Sequence, residues 1–537
     1  MAAIRTALLD WRKYLIGVFT QLIGNPVIGR ELRVRVRLGR GYLLQAFYLA
    51  FMILVAALIY HAAITENPAL TNPVRVQSAL VEFYRVVISM LTALIVLIAP
   101  ALTANAITLE RERKTIDLLL ATPLTARQLL VGKLMGSFAF ILLLLALTLP
   151  VNAVSVMLGG VSFPDLLKAY LLIASGGLVL CAIALFTSVY ARNSTLAVLW
   201  SYLRVGGFLL VTQALFALQG AAAVAGGGFA PQLEVPIALL NPFTAPFVAD
   251  MEVNFIHWRA PAWVVGVVLC LLLTRLILTL AARGVGLYDK DVLPSVRRQV
   301  LVLMPLAVLI SVLPMLTFAG GFPFPPSSIH VLALVVICFA PFLMLTAWIA
   351  PFGQHEDIPC PDDGIFKPSR MFQPSPAGVL PFLTTTWVLM MGALALALYW
   401  AGVRLKIDDP LFSYLTSLLV YLTGLWMLFW GIGRICSSCT GARSLITARA
   451  LTLAAITAIV TLPLIIDFLL LSTATEYFAI DAWVFTPLFD LLTSPESREV
   501  HTQLYLWGSG MAVVALLLGI VCRGRRVAGT ETLSNGV

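Results

Sequence analysis

The feature that most limits what this chain can become is a recurrence of apolar runs, each about 20 residues or longer, along its whole length. Runs of that length can cross a bilayer as helices. Composition agrees: 60% of the 537 residues are hydrophobic and 11% are charged, where soluble globular chains carry about 25% charged residues. The chain therefore reads as an all-α, polytopic membrane protein. A net charge of +9 would suggest nucleic acid in a soluble chain. Here Lys and Arg retained on cytoplasmic segments explain it, and no nucleic-acid partner is expected.

Hydropathy places spans near 42–63, 86–108, 134–158, 166–190, 196–217 and 262–282, then near 300–318, 330–350, 379–401, 411–433, 446–471 and 502–522. Basic residues orient them. Arg30, Arg33, Arg35, Arg37 and Arg40 precede the first span; Arg111, Arg113, Lys114, Arg127 and Lys133 follow the second. Arg283, Lys290, Arg297 and Arg298 follow the sixth, and Arg523, Arg525 and Arg526 follow the last. All four groups share the cytoplasmic side if both termini are cytoplasmic, which needs an even number of spans. About twelve satisfies this. The first 41 residues carry eight Lys/Arg and no clean apolar core, so no cleavable leader is expected. Seven cysteines are scattered, several inside expected spans, and Cys436 and Cys439 have C-x-x-C spacing without a second pair. A closed zinc site needs four ligands, so no metal is expected.

Two sequence halves echo each other at an offset of about 250 residues. "LIAP" (Leu97–Pro100) matches "WIAP" (Trp348–Pro351), and "TSVYARNSTLA" (Thr187–Ala197) matches "CSSCTGARSLI" (Cys436–Ile446). "NPFTA" (Asn241–Ala245) matches "TPLFD" (Thr486–Asp490). Their shared order points to a duplicated six-span unit, an arrangement common in transporters. The expected layout is a cytoplasmic N-terminus over 1–41, a first unit over 42–299, a second over 300–522 and a cytoplasmic tail over 523–537. The external connection 218–261 contains apolar stretches too short to span, which suit either re-entrant or surface-lying helices or an ordinary folded loop.

One stretch breaks the apolar pattern. Glu110, Arg111, Glu112, Arg113 and Lys114 stand in a row, followed by Thr115, a leucine run and Thr122-Pro123. The topology makes 109–133 the cytoplasmic connection between spans two and three. Glu110–Ala121 can form a short helix, stopped where Pro123 disfavours helical geometry in Thr122. A second helix then leads through Leu129, Leu130 and Val131 into span three, opened by Thr122 or by the pair Thr125 and Gln128. Such an elbow can dock into a groove on a partner. It equally suits a topogenic charge cluster with an interfacial helix and no partner.

The string "LERERKTIDLLLATPLTARQLLVGKL" (Leu109–Leu134) closely resembles the cytoplasmic signature of ABC-2 type permeases, and "NPVIGRELRVRVRLGRGYLL" (Asn25–Leu44) looks like that family's opening. "LLNPFTA" (Leu239–Ala245) is similar too. The resemblance implies an N-terminal interfacial helix, with Arg30, Arg33, Arg35 and Arg37 at the membrane interface beside anionic lipid. It also implies a separate ATP-binding subunit, coupled through Glu110, Arg111, Glu112, Arg113, Lys114, Thr115, Thr122 and Pro123. No G-x-x-x-x-G-K-[ST] occurs in the sequence, so ATP is expected on that partner and no cofactor on this chain. By resemblance, the chain is expected to be the membrane subunit of an ATP-driven exporter in the cell (cytoplasmic) membrane. The family commonly pairs two six-span chains, so a second copy of this chain is a further candidate partner.

Other classes find less support. An ion-coupled transporter needs ionisable groups near the bilayer midplane. Asp467 is the one partial candidate, as a polar residue lining a cavity or as an outer-interface residue. Arg204 and Arg275 lie nearer the cytoplasmic ends of spans five and six, where their side chains can reach the headgroups. The five histidines form no H-E-x-x-H, and no G-x-S-x-G is present, so an intramembrane enzyme is not indicated.

Overall fold

The computed structural model describes residues 29–31, 45–54, 57–58, 61, 73–115, 126–157, 160–225, 236–255, 258–285, 292–319, 339–349, 371–372, 379–405, 409–440, 447–459 and 502–518. The chain divides into two compact units. One comprises Met1–Ala217 with Ala230–Val296, the other Leu218–Phe229 with Arg297–Val537. The chain is a helical, multi-pass membrane protein: among the described residues, eight helices are long and apolar enough to cross a membrane.

In the first unit the described helices are α1 (Gln45–Leu54), α2 (Pro73–Thr103), α3 (Thr108–Glu112), α4 (Ala126–Met157) and α5 (Phe163–Tyr190), followed by α6 (Ser194–Ala225) as far as Ala217 and α7 (Ala262–Val285). α5 is the centre, packed against α2, α4 and α7. Its sequence shows why it can be. Apolar helices gain little from mutual burial in lipid, so close van der Waals approach has to hold them, and α5 is rich in small residues from Ala169 to Ala184. At Gly177 a Cβ would lie 3.3 Å from Ile95 of α2 and 3.5 Å from Ile141 of α4. α5 starts under its own cap, with Ser162 Oγ accepting from Asp165 N at 3.4 Å.

The connection between α6 and α7 is a folded cap, which decides between the two readings of 218–261 for its described part. Two 3-10 turns, Pro236–Leu240 and Ala245–Val248, bracket Asn241, whose Oδ1 accepts from Phe243 N at 2.9 Å. A two-stranded antiparallel hairpin follows, β1 (Glu252–Phe255) with β2 (Trp258–Pro261), in register Val253 to Ala260. This hairpin is a small departure from the all-α expectation. Its inward residue Val253 joins Leu172, Leu239, Ala245, Val248, Ala249 and Ala262 in one buried cluster, so apolar burial on α5 and α7 holds the strands flat.

The second unit contains α8 (Val292–Ala319) from Arg297 onward, α9 (Ala340–Ile349), α10 (Val379–Leu405), α11 (Asp409–Thr440), α12 (Thr447–Ile459) and α13 (Thr502–Leu518). Its core is aromatic. Trp387 and Trp426 stack with ring centres 5.5 Å apart and planes 9° apart, and Phe339 and Phe342 close around Trp387. Each indole N–H is satisfied by a threonine, Trp426 by Thr346 at 3.2 Å and Trp387 by Thr423 at 3.3 Å. Of the Pro-rich segment 353–378, Met371 and Phe372 are described. Arg297 Nη1 donates to Met371 O at 3.1 Å, and Arg298 lies 5.8 Å from the Phe372 ring centre.

Candidate functional site

The charged stretch is organised by the way the chain leaves α2. Residues 104–107 form a turn in which Ala104 N donates to Pro100 O at 2.8 Å and Ala106 N to Thr103 O at 3.1 Å. α3 then begins with two backbone N–H groups, those of Ile107 and Thr108, donating to a single buried hydroxyl, Ser188 Oγ, at 3.0 and 3.2 Å. A helix start leaves its first N–H groups unpaired, and here the end of α5 supplies the acceptor. The far end of α3 closes almost at once. Lys114 has φ 56°, Lys114 N donates to Arg111 O at 3.1 Å, and Thr115 N donates to Glu110 O at 3.0 Å. These are the two bonds of a Schellman closure, reached at a cost of roughly 1–2 kcal/mol for a left-handed lysine. The helix expected over Glu110–Ala121 therefore stops at Glu112. Thr122 and Pro123 lie outside the described residues.

Three of the five charges are then tied to other parts of the domain, Glu110 part-buried and Arg111 and Glu112 at the surface. Lys133, two turns into α4, has a side chain only 5% exposed and donates to Glu110 Oε1 at 3.2 Å and to Glu31 Oε1 at 3.1 Å. Arg30 approaches Glu110 at 3.7 Å, and the Thr115 hydroxyl donates to the same carboxylate. The formal charges of Arg30, Glu31, Glu110 and Lys133 cancel. Gly136 makes the approach possible, since a Cβ there would lie 2.7 Å from Glu31 Cβ. Burying an ion pair has a desolvation cost that close partners only offset, so this network acts mainly as a register pin. It joins the N-terminal segment, α3 and α4 at one point.

The next two charges fasten α3 to the helix pair α5–α6. Arg111 donates from Nη1 to Ala191 O at 2.9 Å and from Nη2 to Val189 O at 3.0 Å. A guanidinium on the last carbonyls of a helix also meets the negative end of its dipole. Glu112 Oε1 accepts from Ser194 N, the first residue of α6, at 2.7 Å, where the dipole favours an anion. One five-residue helix thus caps the end of α5 with its cation and the start of α6 with its anion. Arg113 and Lys114 remain exposed, together with Leu109 at 40% exposure.

A profile described as ABC-2 family transporter protein matches residues 26–249. That segment is similar to ABC-2 family transporter proteins. The matched range holds every residue of the network, from Arg30 to Ser194. No curated protein and no solved structure matches the chain.

Within the matched segment, Glu110, Arg111, Glu112, Arg113, Lys114 and Thr115 are gathered on or directly after α3, with Arg30 beside them. Arg33, Arg35 and Arg37 lie outside the described residues, as does Asp467 of the other unit. Sequence reasoning counted Lys133 as a topology marker and overlooked Glu31, Ser188 and Ser194 as its company. The available signal was Lys133 itself, a cation set among Leu129, Leu130 and Leu134, which a buried helix face tolerates only beside carboxylates. A second omission lies inside the same segment. Asn152 Nδ2 donates to Tyr170 OH at 2.7 Å, Thr148 Oγ1 lies 3.2 Å from the same oxygen, and Tyr48 packs beside them. A buried polar knot thus joins α1, α4 and α5, with Tyr48 facing Thr148.

Proposed function

We propose that the chain is the permease subunit of an ATP-driven exporter whose energy comes from a separate ATP-binding subunit docked on α3. ABC-2 domains are membrane transport subunits that work with an ATP-binding partner. In this reading α3 lies on the cytoplasmic side of the cell membrane, both termini are cytoplasmic, and ATP stays on the partner. The observation that carries it is the division of labour on α3. Glu110, Arg111 and Glu112 are spent on internal attachments, while Leu109, Arg113 and Lys114 form an exposed apolar and cationic tip. That tip suits an apolar groove with an acidic rim on the partner. A load applied there passes to α4 through Glu110 and Lys133, and to the α5–α6 junction through Arg111 and Glu112.

The test is co-expression with a Walker-motif ATPase encoded beside this chain. Wild type is expected to retain the ATPase on purification and R113E/K114E to lose it, with insertion unchanged. Full retention by the double variant, in a sample shown to be inserted, would place the docking surface elsewhere.

A further inference from the structure

Arg204 lies ten residues into α6, about 15 Å along the axis from Ser194, within the candidate span Ser194–Ala214. A cation at such a depth must reach the interface or meet a counter-charge. Helical side chains lean toward their N-terminus, which carries the Arg204 guanidinium back toward the end of the domain that bears α3. Its Nη1 donates to Thr187 Oγ1 at 3.1 Å, and its Cζ sits 5.2 Å from the Phe186 ring centre. Both partners belong to the last turns of α5.

Tyr190 closes the same corner. Its ring is 4.9 Å from that of Phe186, and its hydroxyl donates to Leu280 O of α7 at 3.1 Å. Gly284 leaves room for it, since a Cβ there would lie 3.0 Å from Tyr190 Cζ. Among the described residues, no ion pair involves Arg204. One of the five N–H donors of its guanidinium is taken by Thr187. On the same helix Leu199, Leu203 and Leu210 form an apolar strip that flanks the cation, 63%, 60% and 73% exposed.

We propose that Arg204 binds the phosphate of an anionic phospholipid whose acyl chain lies along Leu199, Leu203 and Leu210. Charge and shape both select that occupant. The fixed fork of a guanidinium matches phosphate oxygens, and the apolar strip flanks it. Tyr190 positions the corner and does not itself hold the lipid, because its proton is committed to Leu280 O. The site stands whether or not an ATPase docks on α3.

The experiment titrates the purified full chain, in neutral detergent, with phosphatidylglycerol, phosphatidylcholine or inorganic phosphate, reading bound lipid by native mass spectrometry and stability by thermal unfolding. Phosphatidylglycerol is expected to bind and stabilise, with phosphatidylcholine and phosphate giving neither effect at matched concentration. R204Q should weaken phosphatidylglycerol binding about fivefold, the loss of one surface cation, while R259Q on β2 leaves it unchanged. Equal affinity in R204Q and wild type overturns the site, as does equal binding of phosphatidylcholine. Inorganic phosphate reproducing the whole effect overturns the lipid. Wild-type protein also serves without any variant: a phosphatidylglycerol bearing a photoreactive headgroup should label the segment from Phe186 to Arg204, and absence of label there refutes the proposal.

Discussion

Replacing Lys133 by Met removes one charge and leaves two carboxylates facing each other. Glu31 and Glu110 each lie within 3.2 Å of the same ammonium, and their side chains are 18% and 15% exposed. Bound to one nitrogen at 3.1 and 3.2 Å, the two oxygens are at most about 6 Å apart, which at an effective dielectric of about 20 is a repulsion of at least about 3 kcal/mol once the cation is gone. Arg30, 3.7 Å from Glu110 but 56% exposed, screens little of it. In a domain of about 200 residues, about 3 kcal/mol corresponds to a fall of about 6–12 °C in melting temperature. The assay is thermal unfolding of the detergent-solubilised chain, carried out as a cycle. K133M is measured alone and again in an E31Q/E110Q background, where its cost should drop below about 1 kcal/mol because no carboxylates remain to repel. An equal loss in both backgrounds would refute the electrostatic reasoning and assign the effect to packing of the lysine stem. K133R, which keeps the charge, separates the two causes further.

Two further perturbations test the attachments around this network. Gly136→Ala places a Cβ 2.7 Å from Glu31 Cβ, so it should displace the N-terminal segment and reproduce much of the K133M loss in thermal unfolding; its cost should shrink in an E31G background. Arg111→Gln removes two charge-assisted bonds to the end of α5; hydrogen exchange should rise at Val189–Ala191, and stability should fall by about 1–2 kcal/mol, discounted for the exposure of the side chain.

The helices of this protein were readable because their apolar runs are long, and length alone settles whether a helix can span. Eight of the spans read from hydropathy coincide with described helices long enough to cross a membrane, and the other four overlap shorter described helices. The charged stretch was readable as a site, yet not in its geometry. Composition gives Glu110–Ala121 good helix formers, but the decision to stop at Glu112 rests on Lys114 taking a left-handed conformation, which no propensity favours. Tertiary attachments account for it: Arg111 and Glu112 are held by α5 and α6, residues some 80 positions away. Partners at that separation leave no periodic trace. The hairpin Glu252–Pro261 was missed for a related reason, since strands of four residues are held by burial on α5 and α7 more than by their own alternation.

The anatomy of α3 bears on how a force would travel through the first unit. With five residues, the helix is too short to bend and too tightly closed at both ends to lengthen. A load at its exposed tip could then be absorbed only by breaking side-chain attachments, or passed on by moving α3 as a rigid body. The attachments are distributed against the first outcome. Ser188 holds the start of α3, Arg111 holds the end of α5, Glu112 holds the start of α6, and Glu110 holds Lys133 of α4. Ser188, Arg111 and Glu112 all address the same α5–α6 junction, so losing any one leaves the others to drag it along. The Lys133 network is different in kind, being the sole described link through which α3 grips both α4 and the N-terminal segment. Breaking it should therefore separate stability from coupling: K133M in the E31Q/E110Q background is expected to fold with near wild-type stability and to retain the ATPase, yet to lose stimulation of that ATPase by the permease. If stimulation survives in that variant, α3 works through α5 and α6 alone.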